Sequence, residues 1–235
     1  MTKRIGFLSI AVLLVFASVG FAQDYTMNLY GTYNGQSAVI GGEDVYVSPY
    51  TATIYSGSTQ VFNGSIICDD FATNIPLPYT WTATATNAAD VNASDKFYDG
   101  GNGPLAGYTA QEDYDAAAYL ANELIANLST ISYDEQADIS AAIWDIFDPS
   151  LESTGVDGNA ITTYLNPALT AAVGGYEGSN VTVFTASPPT GSQEFLVVNG
   201  PQVPTPEPAA AAILGFDLLS VLGIAFLFRR YRVRV

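Results

Sequence analysis

Histidine is absent from the 235 residues of this chain, and cysteine occurs once, as Cys68. The first absence removes the commonest general base and metal ligand. The second excludes a disulfide within the chain. Positive charge is nearly as scarce. Of the seven Lys and Arg residues, Lys3, Arg4, Arg229, Arg230, Arg232 and Arg234 lie in two outer stretches. Lys96 alone remains for the body, against 21 acids between Asp24 and Glu194, so the body carries about −20 where the whole chain carries −16. One lysine makes no basic patch, which excludes nucleic acid as a partner. Such a surface repels anionic polymers and membranes, favours solubility and attracts divalent cations or a cationic matrix.

The two stretches that hold the positive charge read as addresses. Lys3-Arg4 precede an apolar core from Ile5 to about Phe16, and Gly20-Phe21-Ala22 places small residues for cleavage before Gln23. That pattern predicts a secretory signal peptide over residues 1–22. At the other end, residues 203–235 begin with prolines at 204, 206 and 208, which disfavour helix and strand and leave an extended, accessible segment. Ala209 to Phe228 follows, roughly 30 Å as a helix and so the thickness of a bilayer's hydrocarbon core. Four arginines within residues 229–235 then favour the cytoplasmic side. Asp217 weakens the span by about 2.5 to 3.5 kcal/mol. The plain reading is a membrane anchor behind a proline-rich spacer.

The triplet Pro206-Glu207-Pro208, the apolar run and the arginine cluster beginning Arg229-Arg230 together resemble the PEP-CTERM sorting signal of Gram-negative bacteria. That resemblance implies an exosortase-type processing enzyme as partner. It also implies an inner-membrane intermediate, cleavage near the triplet, and delivery to the cell surface or beyond, where exopolysaccharide is a possible associate.

Between the addresses, residues 23–202 suffice for one domain with a real core. Segments near Tyr25–Tyr33, Val45–Val47, Tyr50–Tyr55, Gln60–Cys68 and Tyr79–Thr86 are rich in β-branched and aromatic residues. Turn signals such as Asn34-Gly35 and Gly41-Gly42 separate them. The period then changes. Thr109-x-x-Glu112 and Ser132-x-x-Glu135 are capping boxes, each opening an amphipathic stripe, the second halted by Asp148-Pro149. A third, shorter helix is expected at Ala160–Leu165, weakened by Pro167, before strands at Val181–Ala186 and Glu194–Val198. The order predicts an α+β fold: an antiparallel β-sheet or sandwich with an inserted helical hairpin.

Ile66-Ile67-Cys68-Asp69-Asp70-Phe71 closes one expected strand, and Ala141-Ala142-Ile143-Trp144 lies on the second helix, preceded by Tyr119-Leu120-Ala121 on the first. Over residues 40–200 this resembles the thioester domains of bacterial surface adhesins. The resemblance implies a bond between the strand cysteine and a Gln four residues before the Trp, giving an electrophile that captures amines or hydroxyls. Here that position is Ser140, whose hydroxyl cannot supply the acyl group. Gln136 lies one turn further back on the same face and serves only if the helix register shifts. The plainer alternative makes Cys68 a small buried residue and Trp144 part of the core. An intermolecular disulfide through Cys68 is a third.

Asp69, Asp70, Asp145 and Asp148 would crowd together if Cys68 faced the tryptophan helix, as a glycosidase pair or calcium site requires. Against this, Asp145 and Asp148 sit near a helix end, where solvation is usual, and no EF-hand pattern occurs. The loop Asp99-Gly100-Gly101-Asn102-Gly103 is a turn first and a structural calcium loop only weakly. The expectation is therefore a non-enzymatic exported protein with no catalytic residue, metal or other cofactor. A covalent adhesin built on Cys68 and a secreted hydrolase are the alternatives.

Overall fold

Strands form where β-branched and aromatic residues alternate with polar ones, and helices where the capping boxes start them. The computed structural model describes residues 23–153 and 158–203. The expected signal peptide, Pro206-Glu207-Pro208, the apolar run and the arginine cluster lie outside the described residues. The strands are β1 (Tyr25–Thr32), β2 (Ser37–Ile40), β3 (Glu43–Tyr46), β4 (Tyr50–Ser56), β5 (Thr59–Cys68), β6 (Tyr79–Asn87), β7 (Val181–Ala186) and β8 (Phe195–Val198). The α-helices are α1 (Ala110–Asn127), α2 (Tyr133–Phe147) and α3 (Asn166–Val173).

Six strands close into an antiparallel barrel in the order β1-β4-β5-β8-β7-β6. The sheet is antiparallel as expected, but it closes into a barrel instead of forming a sandwich. The reason lies in β1, which pairs on both sides: Met27 stands opposite Ile54 of β4 and Trp81 of β6. With β1 so shared, the sheet has no free edge. The helical insertion agrees with expectation, since α1 and α2 enter between β6 and β7 and pack on each other in one core.

β2 and β3 form a separate hairpin turned at Gly41-Gly42, with φ of 59° and 87°. Positive φ at both central residues suits a two-residue hairpin and requires little of glycine. β2 was outside the expected strands because its four residues bury only Ile40.

Side-chain alternation sorts the core into layers. Tyr25, Met27 and Leu29 of β1 fill the barrel interior with Ile66, Cys68, Phe195 and Val197. Ile67 and Leu196 point the other way, into a core with Leu120, Leu124, Ile139 and Ile143 of the helices. β7 is buried along its whole length because both its faces are covered. Each large apolar side chain fully buried this way contributes about 1.5 to 3 kcal/mol.

Both capping boxes close as expected. The Thr109 amide donates to Glu112 Oε2 at 2.8 Å while the Glu112 amide donates to Thr109 Oγ1 at 3.2 Å. Ser132 and Glu135 repeat the exchange at 2.9 and 3.3 Å. Asp148 ends α2, ahead of Pro149. The third helix departs from expectation. Ala160–Leu165 is a π-helical segment that runs on into α3, with Pro167 in the first turn. The Asn166 amide bonds five residues back to Ile161, and the register resets where Pro167 has no N–H to satisfy. No helix among the described residues is long and apolar enough to cross a membrane.

Candidate functional site

Cys68 is the last residue of β5, facing the barrel interior at the end covered by α2. Pairing of β5 with β8 places Cys68 opposite Phe195, and the Asp69 amide extends the ladder to the Glu194 carbonyl. Trp144 of α2 donates its Nε1–H to the Cys68 carbonyl at 2.8 Å. The thiol donates to the Asp70 carbonyl at 3.3 Å. Cys68 is buried, and that burial pushes its pKa well above the ordinary thiol value, with the charges of Asp69 and Asp70 adding to the rise. The thiolate needed for nucleophilic attack is therefore disfavoured.

The four residues of the thioester-like pattern do not converge equally. Ser140, Trp144 and Cys68 border one narrow gap, which Gln136 does not reach. Ser140 Oγ donates to the Val47 carbonyl at 2.9 Å. Gln136 is buried elsewhere, its Oε1 accepting from Asn34 Nδ2 at 3.3 Å. The helix register thus puts Ser140, whose hydroxyl is no acyl donor, on the gap that Cys68 also lines, and leaves the Gln136 amide aside.

Beyond the same strand end lies a group of which the sequence reading named only Asp69 and Asp70. Asp69, Asp70, Asp95 and Glu194 are all buried around Tyr114 and Lys96. Glu194 accepts from the Tyr114 hydroxyl at 2.5 Å, the Lys96 amide at 2.9 Å and the Thr185 hydroxyl. Lys96 Nζ pairs with Asp70 Oδ2 and donates to Thr73 Oγ1 at 2.9 Å. Neither oxygen of Asp69 has a hydrogen-bond partner. Burial raises the Asp69 pKa well above the usual carboxylate value, and the charges of Glu194 and then Asp70 raise it further. Burial pushes Glu194 up to about 7 and Asp95 to about 6. Two acids so desolvated and so close disfavour double ionisation, so the pair keeps a proton that bulk carboxylates would lose. Two signals pointed to the group: an acid heading the apolar run Phe195–Val198, and the only lysine of the body.

The carboxylates singled out from sequence separate. Asp70 is committed to Lys96, and the acid acting most strongly on Asp69 is Glu194. Asp145 is buried on α2, whereas Asp148 Oδ1 accepts from the amide and hydroxyl of Ser150 in a local turn. The glycine-rich loop folds over Asp113. Leu105 N donates to Asp113 Oδ2 at 3.1 Å, and a Cβ at Gly103 would meet that oxygen at 1.9 Å. Only glycine fits there. Among the described residues, no three or more acidic, Cys or His groups are placed to hold a metal ion.

No family model matches the sequence, and no curated protein does. Among solved structures, the chain is similar to the N-terminal thioester domain of a surface protein from Clostridium perfringens. Identity is 8%, the TM-score is 0.42, and the match covers 75% of this chain and 99% of that one. It is also similar to the N-terminal domain of the Streptococcus pyogenes pilus tip adhesin Cpa. There identity is 12%, the TM-score is 0.39, and coverage is 78% of this chain and 97% of the other.

Proposed function

We propose that this chain is an exported, non-enzymatic surface or matrix protein, sorted by a PEP-CTERM/exosortase system with the 23–202 body as its cargo. The observation that carries the reading is the joint occurrence of Pro206-Glu207-Pro208, the apolar run Ala209–Phe228 and the arginines at 229, 230, 232 and 234. The span holds the chain in the inner membrane as an intermediate. Moving the four arginines outward against the membrane potential costs about 2.3 kcal/mol per charge per 100 mV, so they stay cytoplasmic. Cleavage near the triplet then releases the acidic body to the surface or the extracellular matrix, in company with exopolysaccharide.

The geometry around Cys68 supports a body that binds without forming covalent bonds. A thioester needs an acyl donor at the thiol, and the donor position holds Ser140, already bonded to Val47. Asp69, Asp70 and Glu194 are all buried, so the acids nearest Cys68 lend no support to a hydrolase acting on a polymer.

The test replaces Glu207 and Pro208 by alanine in cells that carry the sorting enzyme. Uncut precursor is expected to accumulate in the membrane fraction, while wild-type protein recovered from the surface lacks the arginine tail. Wild-type surface protein that keeps its arginines makes this a plain anchor and ends the sorting reading. Intact mass of the same sample tests the covalent adhesin: a deficit of one ammonia marks a thioester, and a full mass with one titratable thiol excludes it.

A further inference from the structure

The body's single lysine has its charged end drawn inside. Lys96 Nζ meets Asp70 Oδ2, and the two side chains are 16% and 1% exposed. Nζ also donates to Thr73 Oγ1 at 2.9 Å and to the Ser192 carbonyl at 3.4 Å, and the Phe97 ring centroid lies 5.8 Å away. Both backbones are held as well. The Lys96 amide donates to Glu194 Oε2 at 2.9 Å, while the Asp70 carbonyl accepts from the Cys68 thiol and Gln193 Nε2, each at 3.3 Å. An amine and a carboxyl fixed in contact react as if at about 10⁵ to 10⁸ M. Burial adds a second push. An ion pair out of water is penalised for both its charges, and an amide made from it carries neither.

Condensation needs a proton carrier, and Asp69 fits that part. It is fully buried, neither of its oxygens has a hydrogen-bond partner, and it feels the charges of both Asp70 and Lys96. Orphaned oxygens of this kind are unfavourable, and nothing else in the fold accounts for them. Burial and the neighbouring acids favour its protonated form. A protonated carboxyl can both donate and accept. Asp70 also lines a cavity of about 140 Å³ beside Cys68, which has room for a released water.

We propose that Lys96 Nζ and Asp70 Cγ join in an intramolecular isopeptide bond, with Asp69 as the proton carrier. The ammonium first passes a proton to the Asp70 carboxylate, leaving a neutral amine and a neutral acid. The Nζ lone pair then attacks Cγ, one Cγ–O bond breaks, and the hydroxyl leaves as water. Asp69 gives its proton to that hydroxyl and takes one from Nζ, so it ends as it began. The amide keeps one N–H, which Thr73 Oγ1 can accept. The bond ties the end of β5 to the loop that precedes α1. This goes beyond the sorting reading and does not depend on it, because all three residues lie within 23–202 and the readout is a covalent bond, not location.

Trypsin reads the bond directly, because Lys96 is the only residue of the body after which it cuts. The full chain is purified in detergent, unfolded in urea and digested. The wild-type body is expected to stay in one piece, since an amide-bonded lysine is no substrate. Digestion with a less selective protease is expected to yield the Lys96 and Asp70 peptides joined and lighter by one water. Lys96→Arg stays cleavable but cannot condense, so it is expected to give two pieces and to show that the site is open in urea. Asp69→Asn should form the bond at least about a hundredfold more slowly, so fresh protein is cut after Lys96 while its thermal unfolding stays cooperative. Wild-type protein cut completely after Lys96, with no water missing, overturns the proposal. So does a Lys96 that resists trypsin through an added group, or through linkage to Asp69 or Glu194. Asp69→Asn that joins as fast as wild type overturns the proton-carrier role. A titratable thiol beside the missing water separates this bond from a thioester, which loses ammonia and masks the thiol.

Discussion

Cys68 and Asp69 are neighbours in sequence and occupy opposite chemical settings. Cys68 faces the barrel interior among apolar side chains, and its thiol and carbonyl both have partners. Asp69 is fully buried with neither oxygen bonded, beside the buried Glu194. Strand alternation separates the two by one residue, since successive side chains take opposite faces. The comparison teaches that one strand end can carry a quiet contact and a strained one. On the thiol side apolar packing suffices. On the acid side, four buried carboxyl groups share one lysine, so protonation has to do what ion pairing cannot.

The acid side breaks first when its cation is removed. Lys96→Met leaves Asp70 buried without a counter-charge, and the expected loss is on the order of 3 to 5 kcal/mol by urea unfolding at neutral pH. Adding Asp70→Asn is expected to recover most of it. A single-variant loss below about 1 kcal/mol would class Lys96–Asp70 with ordinary surface pairs.

The next effect is a pH dependence. The folded-state pKa of Glu194 is about 7, above its ordinary 4.5. Between these values the folded protein binds more protons than the unfolded chain. Its contribution to stability is therefore full below about 4.5 and is lost as pH rises to about 7. The expected fall is about 3 kcal/mol from Glu194, with the same sign from Asp113 and Asp95. Thermal unfolding midpoints should drop across that window, and Glu194→Gln should flatten the slope. A midpoint that climbs instead would show these acids ionised in the fold.

The thiol side should respond more weakly. Trp144→Phe keeps a ring against Phe71 but deletes the hydrogen bond to the Cys68 carbonyl. A loss of about 1 to 2 kcal/mol is expected in denaturant titration. Smaller still is the effect of Cys68→Ala, about 1 kcal/mol. In the wild-type fold, iodoacetamide should label Cys68 slowly, and rapidly only once denaturant unfolds it. Equal rates in both states would mean an open, reactive thiol and erase the contrast with Asp69.

Much of the local structure was legible. Thr109 and Ser132 each announce a helix because the cap and its Glu lie three residues apart, well within one turn. Alternation in Thr80-Trp81-Thr82-Ala83-Thr84 marks β6 for the same reason. Pro167 misled, since its missing N–H stops a helix in mid-course yet is harmless where a π-helical segment hands over to α3. Ser37–Ile40 gave no usable pattern, being short and mostly exposed.

At the site, the sequence alone determined that position 140 holds a hydroxyl, that Lys96 is the body's one cation and that no disulfide can form within the chain. These are matters of composition and short spacing, and no fold can alter them. Only the tertiary structure decided that Ser140, not Gln136, lines the gap beside Cys68, and that Glu194 stands beside Asp69. It alone decided that the strands close into a barrel. Each of these depends on which distant segments pair and in what register. That choice is made by the burial of whole faces, a long-range sum that no window of a few residues contains.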